Sequence, residues 1–596
     1  MQEHETALRY TPGPRELIVD DVFDKARRHP DRTAISRRVA GQWTPVSCRT
    51  LADDIETLAA GLVAAGVASG ERVALMSRTR YEWLLYDFAI MSIGAVTVPI
   101  YETSSAEQVE WILSDSEAVA VVVETEEQLA TVTGMRDRLP ALRDAWRVEA
   151  DRELLVQSGA AAGSGPEQER RTALGPDSLA TIVYTSGTTG RPKGCMLTHG
   201  NLLGMVRNTL AADGVSEQVF NERESTLLFL PLAHILARAI QLSALHAGVR
   251  LGHTDMTNVV GDLASYQPTV ILSVPRVFEK LYNSARHSAT AGGKKRIFDR
   301  AEAVAVAFSE SLDTGGPGLL LRVQHRLFQK LVYGKVLAAM GGKTRWAVSG
   351  GAPLGAHLGH FLRGMGLNVL EGYGLTETTA SGTLNLPDVQ RLGSTGRPVP
   401  GCAIRIAPDG EILMKSPAVF TGYWHNEEAT KEVLDEDGWF STGDVGHLDE
   451  QGFLFITDRK KDLIVTAAGK NVAPSQLEDR LRAHWLVSQA LVVGDRRPYI
   501  GALLTVDEEA LSTWRTDQGK PDGDATSLLD DPDFVKAVQD AVDAANASVS
   551  RAEAIKRWQV LPEDFTVAGG EMTPTLKLRR SLVTERYATH VEQLYS

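Results

Sequence analysis

The sequence predicts an α/β protein: a large N-terminal α/β domain with parallel-type sheets and a β-rich subdomain, followed by a small C-terminal α+β domain. Three observations carry this. Between Val73 and Glu124, short apolar runs ("RVALMS", "AVTVPI", "AVAVVVE") alternate with helical stretches such as "SAEQVEWILSDS", the rhythm of strands joined by helical crossovers. The alternation returns in "STLLFLPLAH", "PTVILSVP", "TRWAVSGGAP" and "LNVLEGYGLTE". After Val399 the texture changes to short strands and turns, with "CAIRIAPDGEILMKS" reading as a hairpin across Pro408-Asp409-Gly410.

In chain order, "WLLYDFAIMSIGAVTVPIY" at Trp83 to Tyr101 is the nearest approach to a membrane span. Asp87 interrupts it and a β-branched run precedes Pro99, so it reads as a buried helix leading into a buried strand. The stretch from Gln157 to Asp177 is small, polar and aperiodic, the composition of a surface linker. Between Pro275 and Gly342 lies a mostly helical insertion in which "LLLRVQHRLFQKLVYGKVLAAM" has the apolar spacing of a packing element. A smaller unit begins near Asp458, with strand-like "DLIVT", "QALVVGD" and "YIGALLTVD" and helices at Ser475 to His484 and Asp533 to Ser548.

The 596 residues and 43% hydrophobic content support several large cores. Lys and Arg number 62 against 76 Asp and Glu, a formal charge of -14, which argues against nucleic acid or an anionic membrane as the main partner. Cys48, Cys195 and Cys402 stand alone, without zinc-site or disulfide spacing. With no apolar signal core at the N-terminus, the expected location is cytoplasmic.

The stretch "YTSGTTGRPKGCMLTH", Tyr184 to His199, follows strand-like "LATIVY" and precedes amphipathic "GNLLGMVRNTL". Strand, glycine- and hydroxyl-rich turn, then helix is a phosphate-binding layout: glycines let backbone N–H groups approach an anion, hydroxyls add donors, and Lys193 adds a charge. The G-T-T-G-R-P-K-G spacing departs from a Walker A loop, so this is another kind of polyphosphate loop. "EGYGLTETT", Glu371 to Thr379, places Glu377 where a dinucleotide fingerprint has its third glycine. A carboxylate beside phosphates is repulsive unless a hard cation intervenes, so Glu377 points to Mg²⁺. Thr376 and Thr378 offer hydroxyls and Tyr373 a flat face. Asp444 reads either as an acid holding ribose hydroxyls or as a turn aspartate. "DRKKDLI" around Arg459 is by composition a solvated border, and the segment around Lys577 a basic surface stretch.

Taken together, "YTSGTTGRPKG", "FLPLAH", "SGGAPL", "EGYGLTETT", "GYWHNEEAT", "WFSTGD", "DRKKDLIVTAAGKNVAP" and "TPTLKLRR" occur in the order found in the adenylate-forming acyl-CoA synthetases, the AMP-binding superfamily. The resemblance covers nearly the whole chain. "LPLAHILAR", "SVPRVFEKLYN" and the helical insertion make it most similar to bacterial long-chain fatty acid CoA ligases.

That resemblance implies a ligase that joins a fatty acid to ATP as acyl-AMP with release of pyrophosphate, then passes the acyl group to CoA. It implies a large domain at 1–458 and a small, mobile one at 459–596, with a hinge near 458–462. By motif, Thr185, Ser186, Gly187, Thr188, Thr189, Gly190 and Lys193 would embrace the β- and γ-phosphates. Glu377 would bind Mg²⁺ and Thr376 would contact the α-phosphate. Gly350, Gly351 and Ala352, with Glu371, Gly372 and Tyr373, would frame the nucleotide, while Asp444 and Arg459 would hold the ribose. Lys577 would reach from the small domain to the attacking carboxylate. Lys461 takes the hinge position and Gly469 the pantetheine path, one residue further from Arg459 than in many relatives. His234 would sit by the acyl and thiol channel, or be a packed core histidine. The resemblance leaves open a carrier protein in place of CoA, a medium-chain or aryl acid in place of a long-chain one, a homodimer, and a peripheral contact with a membrane.

Overall fold

The computed structural model describes residues 2–162, 165–185, 191–467, 470–521, 523–567, 569–573 and 577–596. Two mainly parallel sheets form the bulk. A seven-stranded sheet carries Arg72–Met76, Val96–Ile100, Ala120–Val123 and Leu179–Thr185 in parallel, with Lys193–Thr198 added antiparallel at one side. A nine-stranded sheet runs parallel through Asn368–Tyr373, Trp346–Ser349, Val270–Ser273, Ser225–Leu228 and Arg250–His253. Strands covered on both faces must be apolar throughout, and Val96–Ile100 and Ala120–Val123 are buried at every position.

The Trp83 to Tyr101 reading holds: the helix Tyr81–Ser92 is buried along its whole length and leads into Val96–Ile100. Its Asp87 is fully buried and paired with Arg238 of the helix Ile235–Ala247, with Arg238 Nε donating at 2.9 Å. Arg238 also donates to Thr181 on the strand Leu179–Thr185 at 2.7 Å. One buried cation therefore ties the elements between the two sheets.

The Gln157 to Asp177 reading as a linker is corrected. Helices occupy Arg152–Ala162 and Pro166–Thr172, and the first packs on the helix Cys48–Ala64. A Cβ at Gly159 would stand 2.5 Å from Gly61 N, and one at Gly61 would stand 2.4 Å from Leu155 O. The small residues that removed any apolar periodicity are there to let two helix backbones meet.

The hairpin after Val399 is present as Ala403–Ile406 and Glu411–Lys415, antiparallel and closed between Ile406 and Ile412. It joins Phe440–Leu448 and Leu454–Arg459 in an antiparallel five-stranded sheet. The insertion is helical at Pro275–Ala291, Lys295–Leu312 and Leu319–Phe328. Beyond Ile464 the chain packs apolar cores of its own around the strands Val487–Val493, Ile500–Val506 and Ile555–Val560. Asp458 joins the two parts, accepting from Ser475 N at 3.1 Å and Ser475 Oγ at 3.0 Å at the start of the helix Pro474–Arg482. Cys48, Cys195 and Cys402 are buried and free. Among the described residues, no helix is long and apolar enough to cross a membrane.

Candidate active site

Parallel strands end together, and the loops that leave their carboxyl ends make a crevice suited to ligands. Here Trp346–Ser349 delivers Gly350, Gly351 and Ala352, and the neighbouring Asn368–Tyr373 delivers Glu371, Gly372 and Tyr373. They open onto a cavity of about 1460 Å³ that is also lined by Thr185, Lys193, His234, Thr376, Glu377, Asp444, Arg459, Lys461 and Lys577. Residues nearly 400 positions apart in sequence thus share one wall. Ser186, Gly187, Thr188, Thr189, Gly190 and Gly469 lie outside the described residues.

The phosphate-loop layout is corrected in one respect. Between the turn and the helix stands a strand that the layout lacked, Lys193–Thr198, which turns back antiparallel on Leu179–Thr185 with Thr185 opposite Lys193. The helix His199–Leu210 follows only afterwards. The return is anchored by aromatic residues that sequence reasoning left without a role. Trp111 Nε1 donates to Pro192 O at 2.9 Å, and the Arg191 guanidinium stacks 4.6 Å from the Trp111 ring. The Lys193 ammonium lies 5.0 Å from the Tyr423 ring centroid.

Tyr423 performs a second task, donating its hydroxyl to Glu377 Oε1 at 2.8 Å. The Thr376–Thr378 turn that presents Thr376 and Glu377 is held by a costly backbone: Thr379 and Ala380 both have positive φ, 53° and 60°. Non-glycine residues persist there only when surroundings over-determine them. Ala380 N bonds Leu375 O at 2.8 Å and Thr379 Oγ1 donates to Ala418 O at 2.6 Å.

Asp444 is a strand residue within Phe440–Leu448, not a turn aspartate. It is buried, accepts from the Tyr373 hydroxyl at 2.6 Å, and pairs with Arg459 Nε at 3.1 Å. Arg459 correspondingly ends a strand of the same sheet, so "DRKKDLI" begins inside the fold. The Glu371 carboxyl is turned to Leu354 N at 2.9 Å, bracing the loop that carries Gly350 to Ala352. Burial pushes it up to about 8, so it serves as a neutral acceptor at neutral pH.

Gly351 has φ +85°, and a Cβ there would stand 3.9 Å from Lys577 Cε. The small C-terminal unit is therefore seated with Lys577 inside the cavity, its side chain exposed to that space rather than covered by protein. Lys577 is fixed at its base by reciprocal hydrogen bonds with Thr573, Thr573 N to Lys577 O at 2.8 Å and Lys577 N to Thr573 Oγ1 at 3.0 Å. Desolvation and the nearby Arg459 hold its ammonium below the ordinary lysine range, with Asp444 and Glu377 pulling the other way. His234 is partly exposed to the same cavity and caps Ile235–Ala247 by accepting from Leu236 N at 3.2 Å through Nδ1. Desolvation, with Lys577 near, pushes the imidazole down to about 3, leaving it neutral with its proton on Nε2.

Among the described residues no three His, Cys, Asp or Glu side chains form a metal cage. The donor set here is one cavity-facing carboxylate, which suits a hydrated Mg²⁺ that takes most of its oxygen ligands from elsewhere. Glu377 is the residue that would hold it.

A crevice at the strand ends into which Thr185, Lys193, Glu377, the paired Asp444 and Arg459, and Lys577 all face is the layout of a nucleotide-activating enzyme. The chain belongs to the AMP-binding enzyme family: residues 22–424 match that family's model, and residues 461–596 match the model of the AMP-binding enzyme C-terminal domain. It is 48% identical to the long-chain-fatty-acid–CoA ligase FadD15 of Mycobacterium bovis, across 100% of both chains. Its fold is similar to the adenylation domain of a carboxylate reductase from Mycobacterium chelonae (TM-score 0.74, 23% identity, 98% of this chain and 92% of that one). It is also similar to the o-succinylbenzoate CoA synthetase of Bacillus subtilis solved with ATP and magnesium ion (TM-score 0.68, 21% identity, 96% and 99%).

Proposed function

We propose that this protein activates long-chain fatty acids to acyl-CoA in two steps at the one cavity. In the first, a carboxylate oxygen of the acid attacks the α-phosphorus of ATP, and the bond to pyrophosphate breaks. In the second, the CoA sulfur attacks the acyl carbonyl, AMP leaves, and the thiol proton is released. The observation that carries the reading is Lys577 beside Gly351 in the cavity that Lys193 and Glu377 also face. Two anions must meet in the first step, and fixed cations in a desolvated site oppose that repulsion most strongly.

In this reading Thr185 and Lys193 hold the pyrophosphate end, and Thr376 donates to the α-phosphate. Asp444, oriented by Tyr373 and Arg459, takes the ribose hydroxyls. Gly350, Gly351 and Ala352 admit the base closely because two of them lack a Cβ. Lys577 bridges the attacking carboxylate and the α-phosphate. Mg²⁺, held by Glu377 with the phosphates, would neutralise charge on the triphosphate. The boundary falls between 1–458 and 459–596, with Lys461 at a hinge that swings Lys577 out and opens the way to CoA. Neutral His234 presents Nε2–H to the cavity wall. The full-length relative supports both the long acyl chain and CoA as acceptor.

The test is mass-spectrometric product analysis with ATP, Mg²⁺ and acids from acetate to oleate, with and without CoA. Acyl-CoA formed only with CoA, biased to long acids, is the expected result. Acyl-AMP accumulating equally in both mixtures would reassign the acceptor to a carrier protein.

A further inference from the structure

We propose that Phe220, with Val215 beside it, is the floor of an acyl lobe of the cavity and sets the longest fatty acid that the cavity accepts. The inference rests on the fatty-acid reading above and deepens it. Ile235, Ala239 and Ser243 line the cavity from the helix Ile235–Ala247, each four residues after the last, and Met205 and Thr209 line it from the helix His199–Leu210 at the same spacing. Residues four apart share one helix face, and the two helices pack on one another, so a stripe from each faces a common lobe. Its hydroxyls are accounted for on one side: Thr209 Oγ1 lies 3.2 Å from Ser381 Oγ. The wall that remains suits a hydrocarbon tail.

The direction of the lobe follows from its first residue. His234, immediately before Ile235, stands near Lys577, so the stripe begins at the reacting end. Eight residues separate Ile235 from Ser243, which is about 12 Å along a helix axis. One turn further on, His246 is committed to Asp21 at 3.0 Å, and the apolar stripe gives way to an ion-paired cluster that includes Arg207.

The chain leaving the helix His199–Leu210 closes the bottom. It makes a π-turn over Val215–Val219, with Phe220 N donating to Val215 O at 2.9 Å. Such turns are rare and recur at functional sites. Val215 and Phe220, at its two ends, line the cavity and yet are only 2% and 5% exposed, which places them at a closed end rather than at the mouth. The floor is braced. Gln218 Nε2 donates to Asp388 Oδ2 at 2.7 Å, and Asn208 accepts from Arg9 N and Tyr10 N of the N-terminal arm at 3.1 and 3.0 Å. A close-packed wall held from both sides does not yield by a methylene without cost, so the terminal methyl of the acid is stopped by contact with the Phe220 ring.

Displacement of bound cis-parinaric acid, a fluorescent fatty acid, measures binding of saturated acids from dodecanoate to lignocerate without turnover. Wild-type affinity should rise with chain length and then fall sharply at the acid that meets the floor. Phe220→Ala should move that limit to longer acids, and the first acid beyond the wild-type limit, two methylenes longer, should gain about tenfold. Phe220→Leu, which keeps more of the packing, should move the limit the same way by less, and it decides the matter if the alanine variant does not fold. Ala239→Leu, filling the lobe partway, should move the limit to shorter acids. The proposal is overturned if the limit stays in place in the Phe220 variants, if they weaken all acids equally, if wild-type affinity never falls with length, or if wild type does not bind the probe. Acyl-CoA formed from the same acids should follow the same limits. A wild type that binds the acids but yields no acyl-CoA would refute the proposed activity, while the limit in the Phe220 variants would still decide the floor.

Discussion

Asp444 and Arg459 stand directly opposite each other on the antiparallel strands Phe440–Leu448 and Leu454–Arg459, and Arg459 Nε reaches to 3.1 Å from the Asp444 carboxylate. Tyr373 closes on the other carboxylate oxygen at 2.6 Å. The acid is held from two sides, so its orientation is set before any ligand arrives.

Asp444→Ala should therefore raise the KM for ATP by about tenfold or more, the scale of a hydrogen bond to a charged group, with little change in the KM for the acid. Initial-rate kinetics with each substrate varied in turn measure the split. Equal effects on both substrates would remove the ribose role.

Tyr423→Phe deletes the hydroxyl that orients Glu377 while leaving the ring beneath Lys193. We expect the Mg²⁺ concentration for half-maximal activity to rise by roughly fivefold, about 1 kcal/mol. Magnesium titration of the variant checks this, and an unchanged midpoint would detach Tyr423 from Glu377.

Lys577→Ala should abolish acyl-AMP formation, with a loss of at least about 3 kcal/mol in the transition state, while thioester formation from supplied acyl-AMP continues. Because desolvation and Arg459 lower the Lys577 pKa, the ammonium loses its proton at a lower pH than a free lysine. Pyrophosphate exchange should accordingly fall off on the alkaline side below pH 10.5, the ordinary lysine value. Lys577→Arg, always charged, should flatten that limb whatever its absolute rate. A limb that persists in the arginine variant belongs to another group.

His199 is fully buried and its imidazole is pushed down to about 3 by desolvation, with Arg238 adding to the effect. The unfolded chain takes up this proton near pH 6.5 and the folded chain does not, so stability is lost as pH falls from about 6.5 towards 3. At pH 5 the loss from this one group is roughly 2 kcal/mol relative to neutral pH. Denaturant unfolding of wild type and His199→Gln at pH 7.5 and pH 5 measures it. The glutamine variant should show the shallower acid dependence.

Most of the architecture was legible because parallel strands buried on both faces leave continuous apolar runs, as in Val96–Ile100 and Ala120–Val123. That Thr185, Lys193, Glu377, Asp444, Arg459 and Lys577 belong together was legible through motif order, and these residues do line one cavity from distant positions. Two features resisted. Gly159 and its small neighbours looked like a linker because close helix packing selects for the absence of side chains, and so erases the periodicity that signals a helix. The strand Lys193–Thr198 went unread because glycine-rich loops that lead to a helix and to a returning strand share one composition. Tyr423 and Trp111 were missed for a related reason: their work is to position other side chains, and partners so far apart in sequence leave no local pattern.

The pairing of Asp87 with Arg238 also bears on synthesis. A ribosome delivers Asp87 about 150 residues before Arg238, roughly ten to thirty seconds at ordinary elongation rates. Until then the helix Tyr81–Ser92 has no cation to accompany its carboxylate into the interior. The carboxylate can therefore be enclosed with its cation in place only after the helix Ile235–Ala247 has been made, and a nascent chain stalled before that point lacks the element that completes this part of the interior.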